Sequence, residues 1–147
     1  MSDYYPIPEK DDMLLLTYSG GDGKFYLVTE HLMYPTHSRL YRYTWQSGVW
    51  SAPLDVVQNT SNSAYPVYIG AASDLTKVIY VYNYNLTLQM RTETGGGLGA
   101  TQTLASYLSA HGFSGAPQGY FTDHAGNLHM SVVGAKDGVA GFYYVAP

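Results

Sequence analysis

The chain repeats itself at intervals of about fifty residues, and this repeat limits the available folds more than any other feature. Three segments carry a turn followed by an apolar strand, namely residues 20–28, 73–81 and 123–131. The first apolar residues of these strands, Phe25, Val78 and Leu128, lie 53 and 50 positions apart. A further match places Arg42 and Arg91 at equivalent positions, 49 residues apart. A fixed period of this size predicts one supersecondary unit per repeat.

Each repeat is predicted to contain short strands separated by turns rich in Gly, Asn, Asp and Ser. In the first repeat the strands lie near residues 13–19, 24–30, 39–45 and 49–57. In the second they lie near 66–72, 77–83, 87–93 and 100–105, and in the third near 117–122, 127–133 and 141–145. No window has the period and caps of a helix. Four strands in about fifty residues are typical of a β-propeller blade.

The distribution of apolar residues favours stacked blades. Residues 13–16, 25–28 and 78–82 are continuously apolar, which is typical of strands that are covered on both faces. A strand with one face in water would alternate instead. Pro53 falls in a predicted rim strand, where an edge position tolerates proline. We therefore predict an all-β chain of propeller blades, with a β-sandwich or a small β-barrel as the alternative.

The turn between the third and fourth predicted strands resembles the Asp-box of the sialidase-like β-propellers. The signature of that family is Ser-x-Asp-x-Gly-x-Thr-Trp, and residues 44–50 (Thr-Trp-Gln-Ser-Gly-Val-Trp) are similar to a degenerate copy in which Gln46 replaces the Asp. Residues 92–97 are a weaker copy, and residues 123–129 are similar to the first hairpin of such a blade. The resemblance covers nearly the whole chain, and it implies a propeller fold more than a particular activity.

We do not assign the catalytic residues of the sialidases to this chain. The resemblance implies three arginines that bind a substrate carboxylate, a Tyr/Glu nucleophile pair and an Asp acid/base. The chain contains three arginines in all, Arg39, Arg42 and Arg91, and Ile7-Pro8 lacks the arginine of the family's Arg-Ile-Pro motif. We therefore assign no catalytic residue.

Composition argues against several classes of partner and cofactor. The chain has seven Lys and Arg residues and a net charge of −4. This is too little positive charge for a surface that follows a phosphate backbone, so we predict no nucleic-acid partner. The absence of Cys excludes thiolate catalysis and Cys-based zinc sites, and no His pair has helical spacing for a metal. No metal or cofactor is predicted.

No targeting segment and no membrane partner are predicted either. The longest apolar runs are far shorter than the roughly 18 residues of a membrane helix. The first twelve residues are polar and contain two prolines, unlike a secretory signal. The compartment stays open.

Aromatic residues in the predicted loops indicate a ligand. Aromatic residues make up 15% of the chain, and an exposed ring beside Asn, His or Arg suits a sugar, which stacks its C–H face and hydrogen-bonds its hydroxyls. In related propellers, ligands bind where the second-to-third-strand loops and the blade-to-blade loops meet. The predicted ligand-binding residues in these loops are Tyr34, His37, Arg39, Tyr65, Asn83, Tyr84, Tyr107 and His111.

The first functional hypothesis is a non-catalytic, lectin-like module that binds carbohydrate. An alternative is a glycan-processing hydrolase or lyase whose chemistry is carried by Glu30, His31, His37 and Arg39. A third is a structural or protein-binding module.

Residues 1–147 are predicted to form a single half-propeller. Closed propellers have about four to eight blades, so three blades leave apolar end faces exposed to water. Two copies would close a six-bladed ring about a two-fold axis, which predicts a homodimer. The N-terminal segment 1–12 is a candidate latch, with residues 2–8 as the missing rim strand of the third blade. The competing hypothesis is that the chain was cut from a longer protein.

Overall fold

The computed structural model describes residues 12–19, 25–33, 37–57 and 64–147, and it describes side chains for residues 40–57 and 64–147. These residues form three antiparallel sheets, named here the first, second and third sheets in chain order, and none closes on itself. The all-β prediction is therefore confirmed, with one short helix in addition. Residues 1–11, most of the predicted latch segment, lie outside the described residues.

Each sheet is built on an antiparallel meander of three long strands, and in the first and second sheets two short strands both pair with the third long strand. The first sheet consists of β1 (Asp12–Ser19), β2 (Phe25–Met33), β3 (His37–Gln46), β4 (Val49–Trp50) and β5 (Leu54–Val57). The second consists of β6 (Ala64–Ala71), β7 (Lys77–Tyr84), β8 (Thr87–Thr94), β9 (Gly97–Leu98) and β10 (Gln102–Thr103). After α1 (Leu104–Ala110), the third consists of β11 (Phe113–Thr122), β12 (Leu128–Lys136) and β13 (Val139–Val145).

The middle strand β7 is buried on both faces, as its continuous apolar run predicts. Val78, Tyr80 and Tyr82 pack into a core with Leu40, Val56 and Val57 of the first sheet. The intervening Ile79 and Val81 pack into a second core with Leu128, Met130 and Val132 of the third sheet. Because successive side chains of a strand point to opposite faces, the second sheet lies between the other two. The side chains of β1 and β2 lie outside the described residues, so their predicted burial stays untested.

The first and second sheets each have a hairpin at the outer edge, and the two hairpins are equivalent. The Ser51 amide donates to the Thr44 carbonyl at 2.8 Å, and the Gly99 amide donates to the Thr92 carbonyl at the same distance. Both pairs are 48 positions apart between the two sheets (92 − 44 and 99 − 51). The segment that resembles an Asp-box is thus a tight β3–β4 hairpin, with a left-handed φ of 53° at Ser47. The repeat in the sequence is therefore also a repeat in the structure.

Arg42 and Arg91 do not occupy equivalent positions, contrary to the sequence alignment. Arg42 extends toward the second sheet, where its guanidinium donates to the hydroxyl of Tyr80 and to the carboxylate of Glu93. Arg91 extends back toward the first sheet and donates to the carbonyl of Val56 at 2.8 Å. The predicted spacing of 49 residues differs by one from the spacing of 48 residues between the hairpins. A shift of one residue along a strand moves each side chain to the opposite face of the sheet.

Two other predictions at the rim are wrong. The fourth strand of the first sheet is divided into β4 and β5, because Pro53 cannot donate to a ladder and lies between them. Residues 100–105 do not form one strand: the two-residue β10 is followed directly by the helix α1. Thr103 caps this helix by accepting from the Ser106 amide at 3.1 Å. Leu104 and Leu108, one helical turn apart, are buried in the core beneath it.

Candidate functional site

The predicted ligand residues whose side chains the structure describes lie at one end of the second sheet. Cross-strand pairing joins Ala64 of β6 to Tyr84 of β7, and Tyr84 to Thr87 of β8. Thr103 of β10 pairs with Gln89 near the same end, so α1 begins there. This end, called here the ligand end, therefore gathers the start of β6, the β7–β8 turn and the helix.

The second sheet divides the predicted residues between its two faces. Tyr65 and Asn83 are direct cross-strand partners, and Asn83 shares its face with Val81, which packs toward the third sheet. Tyr84 is the next residue along β7 and points to the opposite face, toward the first sheet. Tyr84 therefore cannot share a single small ligand site with Tyr65 and Asn83.

Tyr84 lines a cleft of about 470 Å³ between the first and second sheets. Val56 and Val57 of β5 form one wall, and Tyr82 and Tyr84 of β7 contribute to the other. The second sheet contributes the polar side chains Gln89, Arg91 and Thr101 to this cleft, and β5 contributes the carboxyl group of Asp55. The lining of this cleft is more polar than apolar, which differs from the mostly apolar lining of the usual small-molecule site and suits a ligand rich in hydroxyl groups. We call this the Tyr84 cleft.

Hydrogen bonds fix the polar lining of the Tyr84 cleft. Arg91 donates through Nε to the Gly99 carbonyl at 2.9 Å and through Nη1 to the Val56 carbonyl at 2.8 Å. The hydroxyls of Tyr82 and Thr101 lie 3.3 Å apart. Burial raises the pKa of the Tyr82 hydroxyl, so this phenol stays neutral at physiological pH. The cleft thus offers hydroxyl, amide and guanidinium groups on a preformed frame.

Asn83 carries an unsatisfied acceptor on the opposite face of the second sheet. Its Oδ1 atom is buried and has no hydrogen-bond donor. Buried acceptors without a partner are uncommon in folded proteins, and a water molecule or a ligand hydroxyl would satisfy this one. Its cross-strand neighbour Tyr65 is 44% exposed. The pair offers a ring and an amide, but no described cavity encloses it.

Tyr107 and His111 lie on a helix rather than in the predicted loop. Tyr107 is in α1, and His111 is its C-cap residue. Their rings are 4.5 Å apart, and Nδ1 of His111 donates to the Tyr107 carbonyl at 2.8 Å. Burial raises the pKa of the Tyr107 hydroxyl. Tyr107 also packs against the core beneath the helix, so a large part of its ring serves packing.

The other predicted residues are not placed at the side-chain level. Tyr34 lies outside the described residues. The backbones of His37 and Arg39 lie at the start of β3, while their side chains are outside the described part. The same is true of Glu30 and His31 in β2. The hydrolase or lyase hypothesis therefore gains no support from the side chains that are described.

Sequence reasoning missed Gln89, Arg91 and Thr101 as cleft residues. Gln89 and Arg91 lie in β8 rather than in a loop, and Thr101 lies between β9 and β10. Alternation along β8 would have placed Gln89 and Arg91 on one face, but only the stacking of the sheets shows that this face meets Tyr84. The described residues contain no group of three side chains suited to a metal ion.

A search of the chain against protein-family models, curated proteins and solved structures found no match. The resemblance to the sialidase-like propellers therefore depends on the residues of this chain alone. Within the described ranges, no helix has the length and hydropathy that a membrane span requires.

Proposed function

We propose that the three sheets are consecutive blades of an open β-propeller whose function is to bind carbohydrate without catalysis. Three meanders in succession, with the middle one buried on both faces, support the blade assignment. Equivalent hairpins, 48 positions apart in the first and second sheets, support the repeat on which the blade assignment depends.

The Tyr84 cleft carries the functional part of the proposal. A pyranose ring has an apolar C–H face and a rim of hydroxyls, so it requires a ring or aliphatic wall beside donors and acceptors. Tyr84 and Val57 supply the apolar surface, while Gln89 and Thr101 supply an amide and a hydroxyl. The volume of about 470 Å³ falls within the usual range for small-ligand sites.

Arg91 limits the class of sugar that the cleft accepts. Two of its N–H groups donate to the backbone carbonyls of Val56 and Gly99, which orients the guanidinium structurally. The other N–H groups of the guanidinium are not engaged by these two bonds, but the Asp55 carboxyl group also lines the cleft and disfavours an anionic ligand. The cleft is therefore proposed to bind neutral sugars in preference to sialic or uronic acids.

Glycan-array screening followed by calorimetry tests the proposal. Tyr84→Ala should weaken binding of the selected glycan by about fivefold or more, since one stacked ring contributes about 1 kcal/mol or more to binding. Tyr84→Phe should retain most of the affinity, because the ring is kept. Gln89→Ala should weaken binding as well.

Tyr65→Ala is the matched control, since Tyr65 lies at the same end of the second sheet on its opposite face. It should leave affinity unchanged. Equal loss of affinity in Tyr65→Ala and Tyr84→Ala would place the site elsewhere, and no binding to any glycan would remove the functional proposal. Melting curves of each variant exclude a loss caused by unfolding.

A further inference from the structure

A chain of hydrogen bonds joins three side chains at the face of the third sheet that is turned away from the second sheet. Nε2 of His129 lies 3.3 Å from the Asp123 carboxylate, and Nδ1 of His129 is hydrogen-bonded to the Tyr144 hydroxyl. His129 lies on this outer face because its neighbour on β12, Met130, packs toward the second sheet. An acid, an imidazole and a hydroxyl in this order form the arrangement in which a base activates a nucleophile.

The Asp123 carboxylate determines which nitrogen of His129 carries the proton. Three donors hold this carboxylate in place: the amides of Ala125 at 2.9 Å and Asn127 at 2.8 Å, and the Asn127 side chain at 3.0 Å. An ionised carboxylate only accepts hydrogen bonds, so Nε2 of His129 is the donor to it. Nδ1 of the neutral ring is then an acceptor, and the Tyr144 hydroxyl donates to it. The phenol proton of Tyr144 is therefore directed at a base.

The base is shielded from water, while the residue with the hydroxyl is accessible. The side chain of His129 is only 13% exposed, and the ring of Phe121 stacks on it with centroids 4.5 Å apart. Tyr144 is 58% exposed. A group whose orientation is fixed by packing and by hydrogen bonds is better prepared for proton transfer than a mobile one. His129 is therefore held in place beside a hydroxyl that a reagent in solution can reach.

A shallow depression of about 530 Å³ adjoins Tyr144 on the same face of the third sheet. Its lining is mostly apolar and includes the side chain of Phe142, while Gln118 and Ser131 contribute an amide and a hydroxyl. The negative charge of Asp123 next to His129 disfavours an anionic reagent, such as a phosphoryl donor, at this place. The depression therefore suits a neutral reagent with an apolar body.

We propose that Tyr144 is a covalent modification site, whose phenol oxygen takes an acyl group from a neutral ester with an apolar body. The oxygen bonds to the carbonyl carbon of the ester while its proton passes to Nδ1 of His129. The bond between that carbon and the leaving oxygen then breaks, and the alcohol departs with the proton. Asp123 is a positioning residue, since it orients the imidazole and stabilises the imidazolium. The inference is independent of glycan binding in the Tyr84 cleft.

Acylation of the wild-type chain by p-nitrophenyl butyrate, mapped by mass spectrometry of its peptides, tests the proposal without a variant. Tyr65 is the internal control, since it is 44% exposed and is not hydrogen-bonded to an imidazole in the described part of the chain. The difference in exposure is too small to cause a large difference in rate, whereas a general base contributes about a hundredfold or more. Tyr144 should therefore be acylated at least about tenfold faster than Tyr65. Equal rates would overturn the proposal.

Variants of the two partners of Tyr144 separate proton transfer from a merely structural role. His129→Gln keeps a hydrogen-bonding group that does not take up a proton, so acylation of Tyr144 should fall to the rate of Tyr65. Asp123→Asn should slow it by at least about tenfold, because an amide can donate to Nε2 and then favours the other tautomer. The rate of Tyr65 in each variant shows whether the chain is still folded. Unchanged acylation of Tyr144 in a folded His129→Gln variant would overturn the proposal.

The length of the acyl group tests the role of the depression. At Tyr144, p-nitrophenyl butyrate should react faster than p-nitrophenyl acetate, because its longer chain can be buried beside Phe142. At Tyr65 the longer ester should have no such advantage. Phe142→Ala should reduce the preference at Tyr144, and the ratio of the two rates does not depend on the amount of folded protein. The same preference at both tyrosines would overturn the assignment of an apolar ester to this site.

Discussion

Gly126 of the third sheet lies directly against the backbone of Ala72 in the second sheet. A Cβ atom at position 126 would approach the Ala72 nitrogen to 2.8 Å and its Cβ to 3.1 Å. Nearby, the Ser73 amide donates to the His124 carbonyl at 3.0 Å, and Lys77 donates to Asn127 Oδ1 at the same distance. The turns of adjacent sheets are therefore joined by backbone contact as well as by apolar packing.

Gly126→Ala should destabilise the chain through this contact. Gly138→Ala is the matched control, because Gly138 also has a left-handed φ but has open space around its missing Cβ. The control should cost about 1 kcal/mol from φ strain alone. Gly126→Ala should cost at least about 1 kcal/mol more, since the overpacked contact adds to the strain. Urea unfolding of both variants measures the difference, and equal costs would mean that the two turns do not touch.

The pair of Arg42 and Glu93 should stabilise the junction of the first and second sheets. Their side chains are 13% and 20% exposed, and the Tyr80 hydroxyl donates to Glu93 as well. Arg42→Met should cost about 3 kcal/mol, because it leaves the Glu93 carboxylate buried without its cation. Arg42→Met combined with Glu93→Leu should recover most of that loss. A double variant as unstable as the sum of its single variants would contradict this account.

Much of this architecture could be predicted from particular residues. The run Val78 to Tyr82 predicted a strand covered on both faces, because neither face showed polar alternation, and the structure confirms it. The turn predicted at the start of residues 123–131 is also confirmed: Asp123 accepts from the Ala125 amide at 2.9 Å, and Gly126 has a φ of 75°. Turns and long apolar strands can be predicted from the sequence, because each depends on a few residues that are adjacent in the chain.

The wrong predictions concern features that are short or that depend on strand register. Helix α1 has seven residues, too few to show a helical period, and its only strong signal is the cap formed by Thr103. Arg42 and Arg91 were matched one residue out of register, which exchanges the faces of a strand. The Tyr84 cleft combines strands that are far apart in the chain, so no local pattern predicts it. The predicted ligand set was divided between two faces for the same reason.

Thr103→Ala should destabilise α1 without changing the sheets. Its hydroxyl accepts from the Ser106 amide, and losing a cap of this kind costs about 1 kcal/mol. Ser109→Ala, at an exposed position of the same helix, should have little effect. Urea unfolding measures both. If the two variants are equally stable, the cap contributes nothing to the helix.

Asp123 should make stability fall at acidic pH. Hydrogen bonds from the Asn127 amide and side chain, with smaller contributions from His129 and Ala125, hold the pKa of this carboxyl well below its usual range. The unfolded chain therefore binds the proton more readily, so the stabilising contribution is complete above about pH 4 and is lost as the pH falls below it. Asp123→Asn should flatten the decline of the melting temperature below pH 4. An unchanged acid profile would contradict the assignment.

Hydrogen exchange tests the central claim, which is that β7 is the middle strand of three stacked sheets. The account predicts that the amides of Val78 to Tyr82 exchange most slowly in the chain, at rates set by global unfolding, because both faces of the strand are buried. The amides of β13, an edge strand of the third sheet with exposed side chains, should exchange faster. Exchange of β7 at the rate of β13 would contradict the stacked arrangement.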